Sequence, residues 1–213
     1  MPLRGSIIWL HGLGASNDNF LPVVDYLGLR EQGIRFVFPQ APDRAVSINQ
    51  GMRMPAWYDI LGPEIGNITH EDTQGIRDSE KAIINLIARE VALGVPANRV
   101  FLAGFSQGGA MVLHTGLRFH RTLAGIIALS TYLPLSHQLS EERHLKNQKT
   151  PIFQAHGSFD PVVPLYMGQA CRQHLTSLGY SVQWHGYDMA HVVLPEETMD
   201  IKAFLQNIIS TWV

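Results

Sequence analysis

Short runs of consecutive apolar residues alternate along this chain with longer segments in which apolar positions recur every three to four residues. The short runs, rich in Ile, Val and Phe, predict strands buried on both faces over residues 6–10, 35–39, 100–104, 125–129, 151–155 and 181–186. The longer segments predict helices over 72–93, 107–119, 164–178 and 195–209. In the first of these, Ile76, Ile83, Ile84, Ile87 and Val91 fall on one stripe, and Gly94 supplies a stop. Strands alternating with helices specify an α/β fold in one domain over 1–213, a mostly parallel central sheet with helices on both faces and no large cap domain.

Two stretches stand outside that rhythm. Residues 40–68 are punctuated by proline and glycine, yet hold Trp57, Tyr58, Ile60, Leu61 and Ile65. A loop that long and that apolar usually covers something. Residues 139–149 are charged and read as a solvated helix or loop.

Composition narrows the class of molecule. With 213 residues, 46% hydrophobic and 16% charged, the chain can bury one sizeable core. Its formal net charge of −2, with basic residues scattered, offers no footprint for nucleic acid. The apolar run from Ile7 to Leu10 is too short for a signal segment or membrane span, so the expectation is a cytoplasmic protein with no stable membrane insertion. Cys171 is the sole cysteine, which excludes an intrachain disulfide; its helical surroundings read as a packed thiol rather than a nucleophile. Ten histidines include no HExxH and no ligand-spaced cluster, so neither metal nor organic cofactor is expected.

The chemistry-bearing motif is Gly104-Phe105-Ser106-Gln107-Gly108, a G-x-S-x-G placed between a predicted strand and a predicted helix. A serine on so sharp a turn needs neighbours without Cβ atoms, and it points at the first unpaired N–H groups of the helix. A neutral hydroxyl is a poor nucleophile, so the reading requires a histidine base and a carboxylate to orient it, following in the order serine, acid, histidine. Asp160 lies in the loop after strand 151–155, and His191 in the turn after strand 181–186, both at the carboxyl edge where such sheets collect their sites. His185 reads as packing on the sheet, Asp188 as a strand end, and His156 as a loop anchor or pocket wall. After the first strand, His11-Gly12-Leu13-Gly14 can present a backbone N–H to a substrate carbonyl, which selects Leu13 and Gln107 as the main-chain oxyanion donors. His11 reads as a brace for that loop.

Six separated motifs, LHGLGAS, FPQAP, MPAWYDI, GFSQGGAM, AHGSFDPVVP and YDMAH, span nearly the whole chain. Together they resemble the acyl-protein thioesterase and phospholipase/carboxylesterase family of small α/β-hydrolases. The resemblance implies a Ser106, Asp160, His191 triad, an oxyanion hole from the Leu13 and Gln107 main chain, an acyl site near Trp57 and the loop after it, and a possible homodimer. Where family members usually carry glycine before the catalytic histidine, this chain has Ala190. Leu21, Trp57, Leu61, Ile65 and Val162 could line an acyl groove or belong to the core.

The expected activity is therefore hydrolysis of a small-molecule ester or acylated substrate, short- to medium-chain carboxylic esters first, through an acyl-enzyme. A thioesterase or lysophospholipase acting on long acyl chains is the enzymatic alternative. A non-catalytic binding module on the same fold is the alternative from a different class.

Overall fold

The computed structural model describes residues 3–62, 65–66 and 70–212. Its centre is a six-stranded sheet built from β1 (Gly5–Leu10), β2 (Ile34–Val37), β5 (Val100–Phe105), β6 (Gly125–Leu129), β7 (Ile152–Gly157) and β8 (Val182–Tyr187). The strand order is β2-β1-β5-β6-β7-β8, and every pairing is parallel. Register runs Ser6 beside Val100, Phe101 beside Gly125, Ile126 beside Ile152 and Ile152 beside Val182.

Alternation along each strand sends successive side chains to opposite faces. Ile8, Leu10, Leu102 and Ile126 pack on one side, under α2 (Thr73–Ala92), α3 (Gln107–Arg118) and α5 (Leu165–Ser177). Ile7, Trp9, Phe101, Ile127 and Phe153 pack on the other, under α6 (Pro195–Ile209), with α1 (Leu21–Leu27) beside it. Burial on both faces explains why the inner strands β1, β5 and β6 read as nearly continuous apolar runs. The edge strands β2 and β8 are partly exposed and β8 carries Gln183 and His185, so the expectation of burial on both faces fails at the two edges. Helix α2 starts where Asp72 accepts the Gly75 N–H, and it buries Ile76, Ile83 and Ile87 on the face that the stripe predicts.

Four elements add to the predicted set. The 40–68 segment contains an antiparallel hairpin, β3 (Asp43–Val46) and β4 (Met52–Pro55), separate from the main sheet. Helix α1 fills the connection between β1 and β2, and α4 (Leu139–Glu142) is a single turn within the charged stretch. Among the described residues no helix is long and apolar enough to cross a membrane.

The arrangement collects four loops at the carboxyl edge of the sheet. These follow β1 with His11–Gly14, β5 with Ser106, β7 with Asp160 and β8 with His191.

Candidate active site

Ser106 stands between the last residue of β5 and the first of α3 with φ 55° and ψ −121°, a region that residues with a Cβ rarely occupy. The main chain over-determines it. Its N–H donates to the Leu129 carbonyl at 2.9 Å, and its own carbonyl accepts from Ala110 N–H at 3.0 Å and from Thr131 Oγ1 at 2.7 Å. The turn closes only because two neighbours lack side chains. A Cβ on Gly104 would stand 2.4 Å from the Gly108 carbonyl, and one on Gly108 would stand 2.4 Å from the Leu10 carbonyl. The glycines of the motif thus let β5 and β1 touch the first turn of α3, which leaves the serine projecting from the edge.

Asp160 and His191 come together across two strands. Asp160 Oδ2 accepts from His191 Nδ1 at 2.7 Å, while Oδ1 accepts the Val162 and Val163 N–H groups at 2.9 Å each. The Asp160 side chain is fully buried, whereas His191 keeps 16% of its side-chain surface open. With the carboxylate as acceptor, the His191 hydrogen sits on Nδ1 and Nε2 presents its lone pair. The two loops are joined by main chain as well: Ser158 N–H donates to the Tyr187 carbonyl and Phe159 N–H to that of Met189. Phe105, between Gly104 and Ser106, packs its ring 4.6 Å from the His191 imidazole and limits its rotation. Nothing in the sequence motif marks Phe105 for that task, since its position is the variable one.

The neighbouring polar residues are engaged in holding these loops. His156 is buried, contacts the Val163 carbonyl at 2.7 Å through Nε2, and lies 3.7 Å from Asp160 Oδ2. Burial holds its pKa below the ordinary histidine value, so it supports the acid loop as a neutral donor. His11 bridges Gly12 O at 2.7 Å through Nδ1 and the Ala41 N–H at 3.0 Å through Nε2, again with its pKa lowered by burial. His185 stacks on Phe153 with ring centroids 4.7 Å apart, and Asp188 lies exposed just beyond β8. Ala190 is exposed and has no positive φ, so its methyl group costs the turn nothing. Burial pushes the Cys171 thiol up to about 12, which keeps it protonated and unreactive. Among the described residues no group of three or more His, Cys, Asp or Glu side chains is arranged to hold a metal ion.

Ser106, Gln107, His191, Gly12 and Leu13 open onto one cavity of about 580 Å³. Its apolar lining comes from Phe20, Val23, Ile60, Ile65, Val162 and Val193, and Tyr58 and Tyr132 line it with their hydroxyls paired at 2.6 Å. The structure redistributes the sequence-derived wall. Val162 lines the cavity, but Leu21, Leu61 and Trp57 do not. Leu21 is the exposed first residue of α1; helical rotation turns Phe20 and Val23 inward instead. Leu61 is half-exposed. Trp57 is buried in the core, where its indole N–H donates to the His11 carbonyl at 2.9 Å. Its main chain lies against Gln107, and its neighbour Tyr58 takes the place at the wall.

A serine at a glycine-framed elbow and a carboxylate-oriented imidazole that open onto one apolar cavity are parts that acyl transfer requires. Comparison with known proteins points the same way. The phospholipase/carboxylesterase family model matches residues 2–209. Acyl-protein thioesterase 1 of Gibberella zeae is 39% identical over 210 residues, covering 95% of this chain and 89% of that protein. Among solved structures, Arabidopsis thaliana SOBER1 superposes with a TM-score of 0.89 at 29% identity, covering 97% of this chain and 99% of that one. Zea mays acyl-protein thioesterase 2 gives 0.86 at 26% identity, with 98% and 95% covered. The chain belongs to the phospholipase/carboxylesterase family of α/β-hydrolases, a family of carboxylic-ester hydrolases.

Proposed function

We propose that this protein hydrolyses carboxylic esters through a covalent acyl-Ser106 intermediate, with His191 as general base and acid and Asp160 as its orienter. The single observation that carries the reading is the His191 Nδ1 to Asp160 Oδ2 contact of 2.7 Å, on an imidazole that shares the cavity of the elbow serine. In the first step Ser106 Oγ bonds to the substrate carbonyl carbon as His191 Nε2 takes the hydroxyl proton. The negative charge that develops on the carbonyl oxygen faces the N–H groups of Leu13 and Gln107, each worth on the order of 3 kcal/mol in comparable sites. The Gln107 N–H is suited to the task because the first residue of a helix has no carbonyl four residues before it within the helix to bond. When the tetrahedral adduct collapses, the carbon-to-alkoxide bond breaks and the imidazolium returns the proton to the departing alcohol. Water then repeats the sequence on the acyl-enzyme and frees the acid and Ser106.

The substrate's acyl group belongs in the apolar cavity, and short- to medium-chain esters are the first reading, supported by the paired Tyr58 and Tyr132 hydroxyls in its wall. A second reading, thioester hydrolysis on a long acyl chain, is favoured by similarity to proteins named acyl-protein thioesterase and by a cavity roomy enough for a longer hydrocarbon. One series separates them: kcat/KM for p-nitrophenyl esters from butyrate to palmitate, with palmitoyl thioester in parallel. The first reading expects a maximum between butyrate and octanoate and a fall beyond it. A steady rise to palmitate, matched by the thioester, selects the second.

A further inference from the structure

The nucleophile's neighbour has a side chain as well as an N–H, and that side chain is fully committed. Gln107 is buried at 3% exposure; its Oε1 accepts the Trp57 N–H at 2.8 Å, and its Nε2 donates to the Tyr58 carbonyl at 2.7 Å. The orientation of the amide follows from the partners. A flipped amide would set NH2 against N–H and oxygen against carbonyl, two repulsive contacts for two attractive ones.

What the clamp grips is itself tied to the other side of the cavity. The Trp57 indole N–H donates to the His11 carbonyl at 2.9 Å, and its ring lies 5.3 Å from the His11 imidazole. The Trp57 carbonyl accepts from the Ser79 hydroxyl on α2, which fixes the segment from behind. His11 opens the loop that carries Leu13. A buried chain of hydrogen bonds thus runs from the Gln107 side chain through Trp57 to the start of the Leu13 loop, a side-chain tie between two segments about a hundred residues apart in sequence that follow the adjacent strands β1 and β5.

We infer that the Gln107 side-chain amide is a positioning device for catalysis: it sets the spacing between the Gln107 and Leu13 N–H groups that face the substrate oxygen. This rests on the oxyanion role proposed above for those two groups. Buried amide bonds of this kind hold geometry to a fraction of an ångström, and a misplacement of about 1 Å in a reacting constellation can cost on the order of a hundred-fold in rate. Because the shift affects charge developed only in the transition state, the loss should fall on kcat and leave KM nearly unchanged.

Two variants and a pH series test it. Gln107→Met keeps volume and removes both hydrogen bonds; kcat for a short-chain p-nitrophenyl ester should fall about a hundred-fold with KM within about three-fold. Gln107→Glu is sharper. Its protonated acid reproduces the pattern, with C=O accepting from Trp57 and O–H donating to Tyr58, whereas its carboxylate sets an anion against the Tyr58 carbonyl. Burial raises the pKa of such a carboxyl, so the ratio of variant to wild-type kcat should climb at least about ten-fold as pH falls from roughly 8 to 6. Taking the ratio removes the pH dependence that the two proteins share.

A Gln107→Met kcat within about three-fold of wild type, or a Gln107→Glu ratio flat with pH in a protein that melts cooperatively, overturns the inference. If Gln107→Met does not fold, Trp57→Phe, which removes the indole N–H to His11 together with part of the buried ring, must give the same kcat-selective loss, and normal turnover in it overturns the inference equally. An inactive Ser106→Ala protein beside fully active Gln107 variants would defeat this inference alone; an active Ser106→Ala protein would defeat the proposed mechanism beneath it.

Discussion

Replacing Ser106 with alanine is expected to lower kcat for ester hydrolysis by about a million-fold, the scale on which nucleophile deletion acts in serine hydrolases. The same protein should melt within a few degrees of wild type. Contacts that hold residue 106 in its strained conformation are made by its main chain, to Leu129, Ala110 and Thr131, and alanine keeps them all. It also keeps the Cβ, so the steric cost of φ 55° is unchanged. What disappears is the oxygen that forms the acyl bond in the proposed mechanism. Steady-state turnover beside a thermal melt separates loss of chemistry from loss of fold.

The second large effect is predicted for Asp160→Asn. An asparagine fits the site with one orientation preferred, because the Val162 and Val163 N–H groups both point at Oδ1 and demand an acceptor there. The carbonyl oxygen must take that place, which turns the NH2 toward His191 Nδ1. The imidazole then accepts at Nδ1 and carries its hydrogen on Nε2, the atom that receives the proton of Ser106 in the proposed mechanism. Wrong-tautomer variants of this type lose about ten-thousand-fold in kcat with structure intact. Rate measurements with KM and melting temperature recorded together test this; a loss below about ten-fold would mean that Asp160 does not set the tautomer. Asp160→Ala differs in kind, since it leaves the buried Val163 N–H without an acceptor, at a cost of about 1–3 kcal/mol, and the part-buried Val162 N–H as well, and should also destabilise the protein.

Much of this architecture is legible in the chain because its inner strands are buried on both faces. Residues 7–10, 100–104 and 125–129 stand as unbroken apolar runs, and the sheet places strands 6–10, 100–104 and 125–129 within a residue of the predicted bounds. The elements that the pattern does not reveal are those with weak local signals. Helix α1 is seven residues long, begins at Leu21 with no side-chain cap, and has its proline in the first turn. The β3–β4 hairpin is largely exposed, and its connection is a short helical turn ending in Gln50 at φ 57° and Gly51 at φ 77° rather than a two-residue turn with a recognisable sequence.

The site divides the same way. Ser106, Asp160 and His191 each follow a strand, so chain order alone brings them to one edge. The cavity wall does not follow from order. Phe20 and Val23 reach it from one connection and Tyr132 from another, and whether a tryptophan faces a cavity or a carbonyl depends on contacts across about fifty residues, as the Trp57 indole and His11 demonstrate. Gln107 is the plainest case. Its side chain is one letter in a five-residue motif, and its partners lie in a loop that reads as irregular.

The account turns on one bond, between Ser106 Oγ and an acyl or acyl-like electrophile. Treating the folded protein with a fluorophosphonate probe and mapping the modified peptide by mass spectrometry tests that bond directly. A single adduct on the peptide containing Ser106, formed within minutes and absent from the Ser106→Ala protein, is the predicted result. An unmodified Ser106 in a protein that hydrolyses ester, or an adduct on another residue that accounts for the activity, would contradict it.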